Sequence, residues 1–250
     1  MSLVVLKFPF HEDEPLPTVT RVTSNESSYK PTLAATKNVT PLVKGVLQQW
    51  RGGKELQFTL AEDVDDAQKA LDEHVIQGAV LLSTKPTKSA QRLASSRLVW
   101  AHRGADTSVT LEYWHKLLSG EAKKWNNELP FLLCLRAHPD PLEKLWVQQR
   151  PADAERFEKF RREGLWPVFE NEQSLIDFVG KHPGAIALFV EGNLKLRGAP
   201  LSVLSIEGLP PPSVTAYFLS TNPVKDFPVL QSLLDSDDRS SAVKEWGWSP

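Results

Sequence analysis

Leu117-Leu118-Ser119-Gly120-Glu121-Ala122-Lys123-Lys124-Trp125 is followed, about sixty residues on, by Pro183-Gly184-Ala185-Ile186-Ala187-Leu188. The first stretch reads as the end of a helix, a glycine turn and an amphipathic tail that carries a tryptophan. The second reads as a helix stop, a turn and the start of a buried strand. Neither is a catalytic motif. Outward from these two pieces the alternation of helix and strand extends in both directions.

Towards the N-terminus, Thr32 to Ala35 is a short apolar strand. Thr36-Lys37-Asn38-Val39-Thr40 is a turn, and Pro41 suits the first turn of a helix. Leu42, Val43, Val46, Leu47 and Trp50 follow at helical spacing, and Arg51-Gly52-Gly53 ends that helix. Glu55 to Leu60 alternates like a strand. Asp63 to Glu73 is a helix with Val64, Ala67, Ala70 and Leu71 on one face. Gly78 to Leu82 is a buried strand, and Ser83-Thr84-Lys85-Pro86 turns. This βαβαβ order predicts a mostly parallel sheet covered by helices. In such sheets ligands bind beyond the carboxyl ends of the strands, where helix N-termini present free N–H groups. The loops at 36–40, 61–65 and 83–85 are therefore expected on one rim.

The second half repeats the theme. Strands are expected at Arg97–His102, Pro130–Arg136, Ala185–Val190, Leu201–Ile206 and Val214–Ser220. Helices are expected at Thr110–Leu118, Pro141–Gln149, Ala152–Glu163, Asn171–Lys181, Pro228–Leu234 and Ser241–Trp246. Residues 4–8 read as one short strand, and residues 11–31, polar and proline-containing, as a loop.

The 250 residues are 41% hydrophobic and 24% charged, an ordinary globular balance with room for one large domain or two smaller ones. A formal net charge of −2 supplies no basic field for nucleic acid or an anionic membrane. No apolar run approaches the roughly 20 residues that span a bilayer. Cys134 is the only cysteine and lies in an apolar run, so it reads as a small buried hydrophobe. No metal-ligand spacing, nucleophile elbow, P-loop or dinucleotide fingerprint occurs, so neither catalytic residues nor a cofactor nor a metal is expected. Met1–Phe10 lacks the basic start of a signal peptide.

The motifs in order resemble the phosphate-type solute-binding proteins of ABC importers. Ser119-Gly120 with Trp125 and Pro183–Leu188 match two motifs of their second domain. Ala34–Leu42 is similar to the family's first ligand loop, Ala67–Glu73 to its following helix, and Ser83–Thr87 to its serine-rich turn. Trp246-Gly247-Trp248-Ser249-Pro250 resembles the family's ending. The resemblance covers residues 31–250. It implies a type II periplasmic-binding-protein fold: two α/β lobes, each a mostly parallel sheet flanked by helices, joined by two crossover segments near 101–106 and 201–209. Residues 1–30 would be an N-terminal extension, 31–102 plus 205–250 a discontinuous first lobe, and 103–204 the second. It also implies a small anionic solute such as phosphate held between the lobes, with an ABC permease or a sensor protein as partner. A periplasmic or extracellular location follows for a mature chain, with the cytoplasm as the alternative.

The positions that match the family's ligand loops are Thr36, Lys37, Asn38, Thr40, Ser83, Thr84, Arg136 and Asp140. Arg136 is expected to matter most, because a guanidinium grips an oxyanion through two charge-assisted bonds. The chain departs from the family in the loop Ala137-His138-Pro139-Asp140-Pro141-Leu142, where prolines without N–H replace glycines and a carboxylate replaces a hydroxyl. The loop Ala61-Glu62-Asp63-Val64-Asp65-Asp66 holds four carboxylates, which repel phosphate unless offset. Asp63 and Asp140 also read as helix N-caps. Two readings follow: a solute-binding protein, or a sensing or interaction module that keeps the fold with an altered anion site.

Overall fold

The computed structural model describes residues 3–5, 30–48, 57–85, 90–104, 108–125, 129–137, 140–163, 166–235, 243–245 and 247–250. Most of the loop expected at 11–31, the helix stop at 51–53, Trp50, Pro139 and Trp246 lie outside the described residues. The chain forms two units, Met1–Ser95 with Thr215–Pro250, and Ser96–Val214. Both divisions fall inside strands. Side-chain alternation runs on through a strand, so the sequence carries no mark of them.

In the first unit the elements are β1 (Leu3–Val5), β2 (Thr32–Thr36), α1 (Thr40–Gln48), β3 (Gln57–Ala61), α2 (Val64–Asp72), β4 (Gly78–Ser83) and the first half of β5 (Gln91–His102). β2 lies between β3 and β4 and runs parallel to both, with Thr36 opposite Ala61 and Ala35 opposite Val80. Every residue of β2 is buried, as both faces of a helix-covered parallel strand must be. Ala67, Ala70 and Leu71 of α2 pack on Ala34, Ala79 and Leu81. Asp63 starts α2 as read, its side chain accepting the Asp66 N–H at 3.0 Å. The expected βαβαβ order is present. Gly78 is fixed by packing, because a Cβ there would stand 2.5 Å from Phe227 Cε2.

The second unit takes the other half of β5, then β6 (Ser108–Val109), α3 (Leu111–Ser119), β7 (Lys124–Trp125), β8 (Leu129–Pro130), β9 (Leu132–Leu133) and β10 (Leu135–Arg136). It continues with α4 (Pro141–Gln149), α5 (Ala154–Glu163), β11 (Val168–Phe169), α6 (Glu172–Lys181), β12 (Ala185–Val190), α7 (Glu191–Leu196), β13 (Ser202–Val203) and β14 (Ser205–Ile206). β12 pairs antiparallel with β5 and parallel with β9. β15 (Ser213–Ser220) returns the chain to the first unit and pairs antiparallel with β4, ahead of α8 (Pro223–Asp226) and α9 (Pro228–Asp235).

Both opening motifs behave as read. Gly120 closes α3 in the left-handed conformation at φ 78°. Gly184 sits at φ 86°, and a Cβ there would overlap the Pro130 carbonyl oxygen. The single strand expected at 130–136 is instead three two-residue pieces with different partners: β8 pairs β7, β9 pairs β12 and β10 pairs β11. Burial at Phe131, Leu133, Cys134 and Leu135 hides these changes of partner in the sequence. At the heart of this unit Trp100 lies 5.2 Å from Trp114 and 5.4 Å from Trp146 between ring centroids, in tilted and edge-on contacts.

Candidate functional site

The carboxyl ends of β2, β3 and β4 bring the first set of expected residues to one edge of the first unit's sheet. Thr36 closes β2 and caps a single 3-10 turn, Lys37–Val39, that leads into α1. Thr36 is 3% exposed, and its hydroxyl has no hydrogen-bond partner among the described residues. That is unusual at a cap, where the hydroxyl ordinarily accepts a first-turn N–H. Asn38 is buried and Lys37 is exposed. Thr40 Oγ1 donates to the Thr36 carbonyl at 3.3 Å, which ties the turn to the strand. At the end of β4 the Ser83 hydroxyl accepts the Lys85 N–H at 3.1 Å, and Thr84 lies between them, half-buried. Beyond β3, Asp66 Oδ2 accepts the Glu62 N–H at 3.2 Å while Asp63 caps α2, so two of the four carboxylates close the helix start. Glu62 and Asp65 face solvent.

The structure also brings Arg136 and Asp140 together, inside the second unit. Arg136 is 8% exposed. Its Nη1 donates to the Leu188 carbonyl at 2.7 Å and its Nη2 to Glu172 Oε1 at 3.3 Å. Asp140 Oδ2 stands 3.7 Å from Nη1, and the guanidinium carbon lies 5.3 Å from the Phe189 ring centre. Asp140 is the N-cap of α4, accepting the Leu142 N–H at 2.9 Å, with Pro141 in the first turn. The guanidinium expected to grip a solute is thus engaged by three oxygens of its own unit. Glu172 in turn receives Arg197 Nε at 3.5 Å and Asn193 Nδ2 at 3.4 Å. Glu172, Asn193 and Arg197 were not singled out in the sequence, because nothing in the spacing of three distant polar residues announces a shared contact.

Beside Arg136 is a small recess of about 10 Å³, room for about one water, lined by Trp100, Cys134, Leu135, Phe157 and Leu188 together with Asp140 and Glu143. Glu143 is held by Arg161 through two bonds of 2.7 and 2.5 Å. Burial works against the Arg161 charge, and the Glu143 carboxylate more than offsets it, so the guanidinium stays above its ordinary range. Burial pushes the Cys134 thiol up to about 12, so it is protonated at neutral pH and is no nucleophile. Among the described residues no group of three His, Cys, Asp or Glu side chains is placed to hold a metal ion.

No family model matches the sequence. A 134-residue stretch is 27% identical to a glutamate–tRNA ligase of Thermococcus onnurineus, covering 52% of this chain and 22% of that protein's length. Solved structures align over most of the chain. A candidate phosphate ABC transporter substrate-binding protein from Clostridium perfringens, with bound phosphate, is 10% identical, with a TM-score of 0.66 over 88% of this chain and 98% of the other. An ABC-type phosphate transport receptor from Vibrio cholerae is 12% identical, with a TM-score of 0.59 over 88% and 99%. The bromide-bound regulatory domain of HypT from Salmonella typhimurium is 17% identical, with a TM-score of 0.55 over 85% and 99%. The fold is the type II periplasmic-binding-protein-like α/β fold. These structural neighbours are binding proteins and regulatory domains, not enzymes. No described helix is long and apolar enough to cross a membrane.

Proposed function

We propose that the protein binds a small oxyanion, without chemistry, at the turn Thr36–Thr40 of its first unit, with Ser83 and Thr84 alongside. One observation carries this reading: the buried, unpartnered Thr36 hydroxyl at the head of the turn. A buried hydroxyl without a partner costs about 1–3 kcal/mol, and the first N–H groups of a helix have no acceptor within it. An anionic oxygen satisfies both at once. Lys37 and Asn38 add a charge and an amide on the same turn, and Thr40 braces it.

Arg136 and Asp140 serve in this reading as the internal brace of the second unit rather than as ligands. The likeness to phosphate-binding proteins of ABC importers supports a role in solute uptake outside the cytoplasm, with a permease as partner. The engagement of Arg136 by Leu188 and Asp140 and the likeness to regulatory domains support the second reading, a sensing module. Titration calorimetry of the full chain with inorganic phosphate and sulfate tests the binding itself. Thr36→Val keeps the shape and removes the hydroxyl. It is expected to weaken phosphate binding at least about tenfold, the worth of one hydrogen bond to a charged group. An unchanged affinity, or a parent chain that binds neither anion, overturns the reading.

A further inference from the structure

We infer that the recess beside Arg136 is a binding site for one structural water, which ties the Arg136 guanidinium to the Trp100 indole and to the carboxylates of Asp140 and Glu143. The site is built wholly from the second unit, and the inference is independent of the oxyanion reading above. Trp100 and Leu188 face each other across the β5–β12 ladder. The Leu188 carbonyl accepts from Arg136 Nη1 at 2.7 Å. Trp100 is thereby held next to Arg136, and both side chains line the recess.

Two donors of this lining are left over. Trp100 is 2% exposed and Arg136 8%. Neither the indole Nε1 nor the guanidinium Nε has a hydrogen-bond partner among the described residues. Both groups can only donate, so an acceptor that both can reach completes them. The acceptor side has a gap as well. Asp140 Oδ2 stands 3.7 Å from Arg136 Nη1, too far for a direct hydrogen bond, while Oδ1 is taken by the Leu142 N–H. Size and charge then choose the occupant. A volume of about 10 Å³ suits a single water and excludes an oxyanion. A halide accepts from both N–H groups, but it has no hydrogen to give and meets the carboxylates of Asp140 and Glu143. Water accepts from Trp100 Nε1 and Arg136 Nε and turns its hydrogens to those carboxylates, which completes the polar partners that a buried water requires. The Arg136 brace and the tryptophans packed around Trp100 thus share one hydrogen-bonded network.

The test is magnetisation transfer from water to protein, read by NMR on the full isotope-labelled chain in chloride-free buffer. The Trp100 indole N–H and the Arg136 Nε–H should both receive transfer from the water line, with the sign of a long-lived bound water rather than of bulk solvent. Addition of sodium chloride or sodium bromide should leave both signals and their transfer unchanged. Trp100→Phe keeps an aromatic ring and removes one of the two donors. In it the transfer to Arg136 Nε–H should be reduced, with circular dichroism verifying the fold. Should that variant not fold, the two signals of the parent decide alone. Failure of either N–H to receive transfer in the parent overturns the inference. So does transfer that disappears as halide is added, which makes the recess an anion site, or transfer to Arg136 that a folded Trp100→Phe leaves unchanged.

Discussion

Replacing Arg136 by methionine keeps an unbranched apolar stem and removes the guanidinium with its charge and donors. Three acceptors then lose their partner inside the second unit: the Leu188 carbonyl, Glu172 and, more weakly, Asp140. Asp140 retains its cap bond to the Leu142 N–H, and Glu172 retains Arg197 and Asn193, so the loss is partial at each carboxylate. Breaking one partner out of a buried ion pair costs about 3–5 kcal/mol, and the orphaned carbonyl places the expected value within that range. With a urea slope of about 2 kcal/mol/M, the midpoint of unfolding falls by about 2 M. Five of the eight tryptophans, Trp100, Trp114, Trp125, Trp146 and Trp166, belong to this unit, so tryptophan fluorescence follows it directly. Adding Glu172→Gln should recover part of the loss, because it removes one of the stranded charges. A midpoint for Arg136→Met within about 0.5 M of the parent would refute the brace. So would a variant that keeps its full stability and loses phosphate binding, the outcome expected of Arg136 from the sequence alone.

Gly184→Ala should destabilise the second unit by at least about 2 kcal/mol in the same assay, since it combines a left-handed backbone with a clash against the Pro130 carbonyl; an unchanged midpoint would exclude that close approach. The Cys134 thiol, pushed up to about 12 by burial, stays protonated in the folded chain while the unfolded chain ionises near 8.5–9. Its contribution is therefore fully present below pH 8.5 and is lost as pH rises towards 12. Cys134→Ser should make the alkaline fall in stability shallower, and native protein at pH 8 should react with a thiol reagent only as it unfolds.

The helix starts were legible because caps are local chemistry. Asp63, Thr110, Asp140 and Asn171 each accept an N–H two or three residues on, as their positions before apolar runs foretell. The parallel core of β2, β3 and β4 was legible for a similar reason, since short apolar runs alternate there with amphipathic helices. The fate of the apolar run 130–136 was not, because a strand that changes partner twice looks in sequence like one buried throughout. α7 was missed because it follows β12 without a break, and Gly192 in its first turn is a poor helix former. At the candidate site, the loop positions of Thr36 and Ser83 could be read, while the missing partner of the Thr36 hydroxyl is a fact of three dimensions. Arg136 shows the same limit. Its partners are a backbone carbonyl 52 residues away and a carboxylate 36 away, and no local pattern encodes either.

The passage of the chain out of the first unit within β5 and back within β15 sets an order of events during synthesis. Ser96–Val214 is one unbroken stretch and can close as soon as it leaves the ribosome. The first unit must wait, because β15, the strand that pairs with β4, is translated after all of it. Until then β4 has one side of its ladder empty, and a buried apolar strand in that condition invites a wrong neighbour. A chain rearranged to begin at Thr215 and run through a linker into Met1 would supply β15 early. It should refold with fewer aggregates than the natural order, for the same final contacts.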